Sequence, residues 1–288
     1  MNKKFSLLIT FLLFHLNIKP EESLEKKIEH YKRFVANKEK TQSEKPYIIE
    51  AFDKFKVVFP TIHNQGYNRL WFLYRDIFIY EEYKPISKIS DEPFIIDCGC
   101  NVGMATLYFK SIYPNSKILA FEPSHSNFVF ANTNITMNKL ENVKLEKKAL
   151  SNKKGKTNLY LPGAGSSSTI IERSNQVETV ETTLLSEYIN KTVDLIKIDV
   201  EGAETEILED LSSNDKLKLV KEIIMEFHHT PNNNSKNNLA KMLNILESNN
   251  FNYIIGTPQQ STHIYNKNVA ANNYQTLMIT AFKNEFIK

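Results

Sequence analysis

Residues 94–103, FIIDCGCNVG, limit the fold of this chain more than any other stretch. A short apolar run ends in an acid, and a D-x-G-x-x-x-G turn then leads into a sequence with helical spacing. Strand, acid and turn in that order predict a nucleotide-type cofactor site on an α/β sheet. Glycine is scarce, with 8 in 288 residues, yet Gly99 and Gly103 both fall in this turn. The turn therefore uses glycine for its backbone shape.

The acid narrows the ligand. Asp97 inside the turn would repel a pyrophosphate and suits a ligand with an ammonium or sulfonium charge. A nicotinamide-dependent oxidoreductase stays as the weaker enzyme alternative, because G-x-G-x-x-G does not follow the first strand. The next apolar run, KILAFEP, ends at Glu122 and Pro123. A carboxylate there can accept hydrogen bonds from both hydroxyls of a ribose.

Further strand patterns cover residues 142–150, 193–199 (VDLIKID) and 220–227 (VKEIIMEF). Helical faces lie between them: Ala105, Tyr108, Phe109 and Ile112, then Phe128, Ala131, Asn132 and Ile135. Ala203, Ile207, Leu208 and Leu211 form a third face, and Leu239, Met242, Leu243 and Leu246 a fourth. A helix is expected to start near Val102. FNYIIG and YQTLMITAF read as a final hairpin at the sheet edge, and residues 155–176 as an irregular insertion or hairpin. Alternating strands and helices predict a mostly parallel sheet with helices on both faces and its ligands at the strand carboxyl ends.

Those ends carry Asp97, Glu122, Asp199, and Glu226 with His228. Buried strands normally run apolar. One acid at a strand end can serve as a helix cap, and Glu201 and Glu204 can charge a helix N-terminus. A row of acids at equivalent ends points to a site. His228, in register with this edge, is a candidate general base on a hydroxyl. No tight ligand cluster is visible in the sequence, so no metal is expected. A divalent ion held by the edge carboxylates is the lesser alternative.

The remainder bounds the partners. Net charge is +3, from 36 Lys and Arg against 33 Asp and Glu, so nothing argues for nucleic acid. Cys98 and Cys100 are too close for an ordinary disulfide and lack zinc partners; they read as small buried residues of the turn. The apolar run at residues 5–18 reads as a buried or membrane-surface helix, with a signal or anchor as the alternative. Peripheral membrane contact is allowed for it, in an otherwise cytoplasmic protein. Residues 1–82 are expected to form an extension and an aromatic-rich cap, and residues 83–288 the main domain.

FIIDCGCNVGMATLYF, AFEPSHSNF, the KKALSNKKG segment and LIKIDVEGAETEIL together resemble the FkbM-type methyltransferases, over about residues 83–256. The resemblance implies the seven-stranded class I methyltransferase fold (Rossmann-like) and usually O-methylation with S-adenosyl-L-methionine as cofactor. It implies that Asp97, Gly99, Asn101 and Gly103 hold the methionine part, and that Glu122, with Pro123 beside it, binds the ribose. Lys148, Ala149 and Leu150 would border the adenine. Asp199 would face the methyl donor, with Glu201 and Glu204 beside it, and Tyr83 matches a tyrosine common in the family. The expected reaction is methylation of a hydroxyl on a small molecule, sugar or glycan. Asp199 and His228 would be catalytic, and Tyr83, Glu201 and Glu226 would meet the acceptor. A catalytically silent scaffold of the same fold is the alternative from another class.

Overall fold

A computed structural model describes residues 47–51, 55–59, 70, 72–161, 176–229, 237–256 and 275–286. The expected helix at residues 5–18, the linker after it and the tip of the 155–176 insertion lie outside the described residues.

The described residues start with a hairpin, β1 (Tyr47–Ala51) and β2 (Phe55–Phe59). A helical turn that includes Arg75–Ile79 follows. The main domain then alternates: β3 (Phe94–Cys98), α1 (Met104–Ile112), β4 (Lys117–Phe121), α2 (His125–Met137) and β5 (Val143–Glu146). After β6 (Ala149–Leu150), β7 (Gly155–Tyr160) and β8 (Val177–Thr183) come β9 (Val193–Ile198) and α3 (Glu204–Ser213). The chain ends with β10 (Val220–His229), α4 (Leu239–Ser248), β11 (Asn252–Gly256) and β12 (Gln275–Phe282).

Seven strands form one sheet in the order β11-β12-β10-β9-β3-β4-β5. β10, β9, β3, β4 and β5 are parallel; β12 runs antiparallel to both β10 and β11. The chain builds outward from β3 through β4 to β5, then returns to lay β9 on the other side of β3. The order reverses between β3 and β9, so the crevice beyond their carboxyl ends is where an open α/β sheet binds its ligand.

Side chains alternate across the sheet. Ile95 joins Leu107, Tyr108 and Phe109 on one face, together with Phe55 and Val57 of the hairpin. Ile96 joins Ile207, Leu208, Leu211, Met242 and Leu246 on the other. The faces read for α1 and α3 are buried, save that Ile112 at the end of α1 is only partly so. On α2 the expectation of Asn132 fails; it is exposed, and Asn134 is buried instead. Asn134 is polar because it has work to do there. Its amide accepts from Val58 N at 2.7 Å and donates to Val58 O at 3.0 Å and Val102 O at 2.8 Å. One side chain thus ties hairpin, helix and cofactor turn together.

Two more expectations change. The strand read at residues 142–150 is two strands: β5 stays in the main sheet, while β6 pairs with β8 in a separate sheet of three. The insertion is a hairpin, β7 against β8. The helix expected near Val102 begins at Met104, with Gly103 as its N-cap at φ 86°.

Candidate functional site

The turn after β3 is held by backbone. Gly99 N and Cys100 N both donate to Phe121 O, at 3.1 and 2.9 Å, and Gly103 N donates to Cys100 O at 2.8 Å. Gly99 has φ +79°, and a Cβ built on it would lie 1.8 Å from Asp199 O. Only glycine lets the turns after β3 and β9 touch. Gly103 differs: it too has positive φ, but a Cβ there would meet nothing closer than 3.5 Å. Cys98 and Cys100 are free and buried, and burial pushes both thiols up, so they pack and stay protonated.

A cleft of about 590 Å³, its mouth included, opens beyond these turns. Gly99, Asn101, Glu122, Pro123, Ala149, Asp199 and Glu201 line it. Glu122 is buried. Its Oε2 accepts from Asn101 N and its Oε1 from Ser124 N, each at 2.9 Å. The Asn127 side chain bonds the same carboxylate, which still keeps acceptor capacity toward the cleft. Burial pushes its carboxyl up to about 8, although the amides of Ser124 and Asn101 pull the other way.

Asp97 lies beneath the turn. It is wholly buried and does not line the cleft. Thr106 Oγ1 donates to its Oδ2 at 2.7 Å, and Lys197 Nζ lies 3.3 Å from its Oδ1. In this arrangement Asp97 holds the turn from beneath through Thr106 and Lys197. Gly103 likewise caps the helix behind the cleft.

Lys197 is a residue the sequence reading missed. Its Nζ donates to Gly99 O at 2.7 Å, lies 3.5 Å from Asp199 Oδ2, and sits over the Tyr83 ring at 5.2 Å. Burial works against its charge, but Asp97 and Asp199 outweigh it, and its pKa is raised. The available signal was a lysine inside the six-residue strand β9, whose every residue is buried. Asn127, Leu159, Val200 and Ala203 also line the cleft and were not anticipated.

Beside the cleft lies a second group. The parallel pairing of Met225 with Ile198 carries Glu226 alongside Asp199. Tyr83 comes from a distant segment, which Glu222 pins to β10 by accepting from Ile86 N and Ser87 N at 2.9 and 2.8 Å. The Tyr83 hydroxyl stands 3.3 Å from both Asp199 Oδ2 and Glu226 Oε2. Burial and those two charges keep it a phenol. Burial, then Asp199, push the Glu226 carboxyl up to about 8.

His228 is buried next to them. Its Nδ1 lies 2.8 Å from Glu204 Oε1, and Glu204, fully buried, also accepts from Gly202 N at 3.0 Å and from the Asn237 amide. Since Glu204 only accepts here, Nδ1 carries a proton. Nε2 faces Glu201 at 3.3 Å and Glu226 at 3.9 Å. Burial pulls the imidazole's pKa down, but the Glu204 hydrogen bond and the charges of Glu201, Glu204 and Asp199 raise it well above its ordinary value. Nε2, turned toward Glu201 and Glu226, is the nitrogen left to exchange a proton or hold a ligand.

The expectation that no metal cluster exists also changes. Asp199, Glu226 and His228 each offer a ligand atom within 4.8 Å of the others. The sequence hid this because the three converge through strand pairing rather than spacing.

The methyltransferase FkbM domain model matches residues 97–253, more than half of the chain. The chain belongs to the FkbM methyltransferase family. Methyltransferase 1 of Beauveria bassiana is 29% identical to it over 213 residues, covering 65% of this chain and 83% of that protein. Methyltransferase sdnD of Sordaria araneosa is 31% identical over 192 residues, covering 54% and 73%. Among solved structures, M. jannaschii TYW2 in complex with AdoMet is similar at a TM-score of 0.46 and 12% identity, over 84% of this chain and 87% of that one. A likeness that loose says nothing about the site. The FkbM family and the geometry above carry the chemistry: this FkbM protein is a methyltransferase by descent, with a cleft at its sheet's switch point.

Proposed function

We propose that this protein transfers a methyl group from S-adenosyl-L-methionine to a hydroxyl oxygen of a small molecule, sugar or glycan. The observation that carries the reading is the meeting of the Gly99 turn, Glu122 and Asp199 in one cleft. The donor set fits this cofactor. Lone pairs on Glu122 suit two ribose hydroxyls. Ala149, Leu150, Leu159 and Phe121 supply apolar wall for a flat base. Acidic Asp199 and Glu201 suit a cationic centre.

When bound, the cofactor supplies an electrophilic methyl carbon. The chain's own task is then positioning, which can contribute most of the rate in a displacement of this kind. Asp199 is catalytic in this reading because it belongs to both groups, lining the cleft and touching Tyr83. Tyr83, Glu201 and Glu226 hold the acceptor, and its proton leaves toward the carboxylates around His228. Isothermal titration of the full chain with S-adenosylhomocysteine tests the cofactor. Methyl-labelled donor with a panel of hydroxylated acceptors tests the reaction. A protein that binds NAD and not S-adenosylhomocysteine would refute the reading.

A further inference from the structure

We infer that Asp199, Glu226 and the Nε2 atom of His228 form a divalent-cation site next to the methyl-donor cleft, and that the cation receives the acceptor's hydroxyl. Three independent observations lead there.

The first is geometric. The three ligand atoms lie within 4.8 Å of one another. Donors that share one ion at about 2.0–2.3 Å in a tetrahedral arrangement sit roughly 3.3–3.8 Å from each other. Closing around an ion therefore needs side-chain shifts on the order of 1 Å, within reach of a rotation about the carboxylate side chains. The Asp199 and Glu226 side chains are 24% and 26% exposed, which leaves them that freedom.

The second lies behind the imidazole. A histidine that binds a metal donates its other N–H to a carboxylate or carbonyl, which fixes its tautomer and aim. Glu204 does this for Nδ1 at 2.8 Å, and is itself held by Gly202 N and the Asn237 amide. A carboxylate with no exposure and three donors has little other purpose than to aim that ring.

The third is a shortage of positive charge. The Tyr83 hydroxyl, in a residue 4% exposed, has one proton and faces two carboxylate oxygens at 3.3 Å each. Hydrogen bonds from hydroxyl to carboxylate normally run 2.5–2.7 Å. One proton cannot serve both, and neither contact is tight. Asp97, Asp199, Glu204 and Glu226 crowd a region that holds Lys197 and His228, and Lys197 is already shared by Asp97, Asp199 and Gly99 O. A divalent ion held between Asp199 and Glu226 would add positive charge where both carboxylates converge.

Two carboxylates and one imidazole favour an ion of the Mn²⁺ to Zn²⁺ kind over Ca²⁺. The role of the ion rests on the methyl-transfer reading. An acceptor O–H on the cation loses its proton more readily. The proton passes to Glu201 or to solvent. The oxygen's freed electron pair forms the new O–CH₃ bond, and the pair of the old C–S bond stays on sulfur.

The test titrates Mn²⁺ into the chelator-treated full chain, followed by calorimetry and by the paramagnetic resonance of free Mn²⁺, with S-adenosylhomocysteine affinity and melting temperature measured in parallel. The expected result is one Mn²⁺ per chain. Glu226→Gln and His228→Gln should each weaken it at least 10-fold, and Glu204→Gln by about 10–100-fold, all with S-adenosylhomocysteine affinity within about 2-fold of the parent. If Mn²⁺, Zn²⁺ and Mg²⁺ all fail to bind folded protein that still takes S-adenosylhomocysteine, the cation site is wrong. Binding that survives both Glu226→Gln and His228→Gln overturns it too. Mn²⁺ binding lost in the variants, in a protein that ignores S-adenosylhomocysteine, would keep the site and sink the methyl-transfer reading.

Discussion

Replacing Lys197 with methionine isolates the charge that joins the two halves of the site. Methionine keeps the unbranched shape and removes the ammonium. In the parent, Nζ lies 3.3 Å from Asp97 Oδ1 and 3.5 Å from Asp199 Oδ2, and donates to Gly99 O at 2.7 Å. At an effective dielectric near 20, each ion contact amounts to about 5 kcal/mol of attraction. Burial of the ammonium offsets several kcal/mol of that. The variant strands a fully buried Asp97 and leaves Gly99 O without its donor. Removing one partner of such a buried pair costs about 3–5 kcal/mol. For a chain of this size that lowers the melting temperature by roughly 6–20 °C. Urea unfolding followed by circular dichroism gives the free energy. Lys197 has a raised pKa, so its contribution is complete below the unfolded lysine value of about 10.4 and fades only as pH climbs past it. The gap between parent and variant should not narrow from pH 7 to 9. Adding Asp97→Asn removes the stranded charge and should recover at least about 1 kcal/mol. A Lys197→Met protein within about 1 kcal/mol of the parent, or a double variant no better than the single, would refute the argument.

Other perturbations separate the remaining parts. Glu122→Ala should weaken S-adenosylhomocysteine binding by about 1–3 kcal/mol, read by calorimetry. Glu122→Gln tests the pH dependence: a carboxyl raised to about 8 favours the folded state when protonated. That contribution is complete below the unfolded value of about 4.3 and is lost as pH rises to about 8, so the parent should lose stability relative to the variant between about pH 4 and 8 and no further above that. Gly99→Ala should abolish folding or nearly so, because its Cβ has no room, whereas Gly103→Ala should cost only about 1–2 kcal/mol of left-handed strain. Thermal unfolding of the pair decides it, and equal costs would mean the turn can yield at Gly99. Asn134→Ala should destabilise by about 2–4 kcal/mol, since it leaves Val58 and Val102 backbone groups without their partner.

The alternation of strands and helices was legible because each strand is apolar and ends at a turn. The cleft was legible for the same reason: Gly99, Asn101, Glu122 and Asp199 all sit at strand ends, where chain order alone predicts convergence. The neighbouring cluster was less so. Its residues were each nameable, but their contacts depend on the register of β9 with β10 and on where Glu222 anchors the Tyr83 segment. Spacing along the chain carries neither. Lys197 looked like one polar residue in an apolar run. The exchange of Asn132 for Asn134 has the same origin, since only the hairpin packed on α2 reveals which face needs an amide.

The contact of Gly99 with the Asp199 carbonyl has a consequence for how such a protein can change. With no space between them, the turn after β3 and the loop after β9, proposed to hold the cofactor and to meet the acceptor, share a wall. A new acceptor preference won by lengthening or tilting the Asp199 loop would pull on the cofactor grip as well. On the proposed reading, a change of acceptor is better accommodated from the far side, by the segment that carries Tyr83 and the hairpin of β7 and β8, which leave the Gly99–Asp199 backbone contact in place.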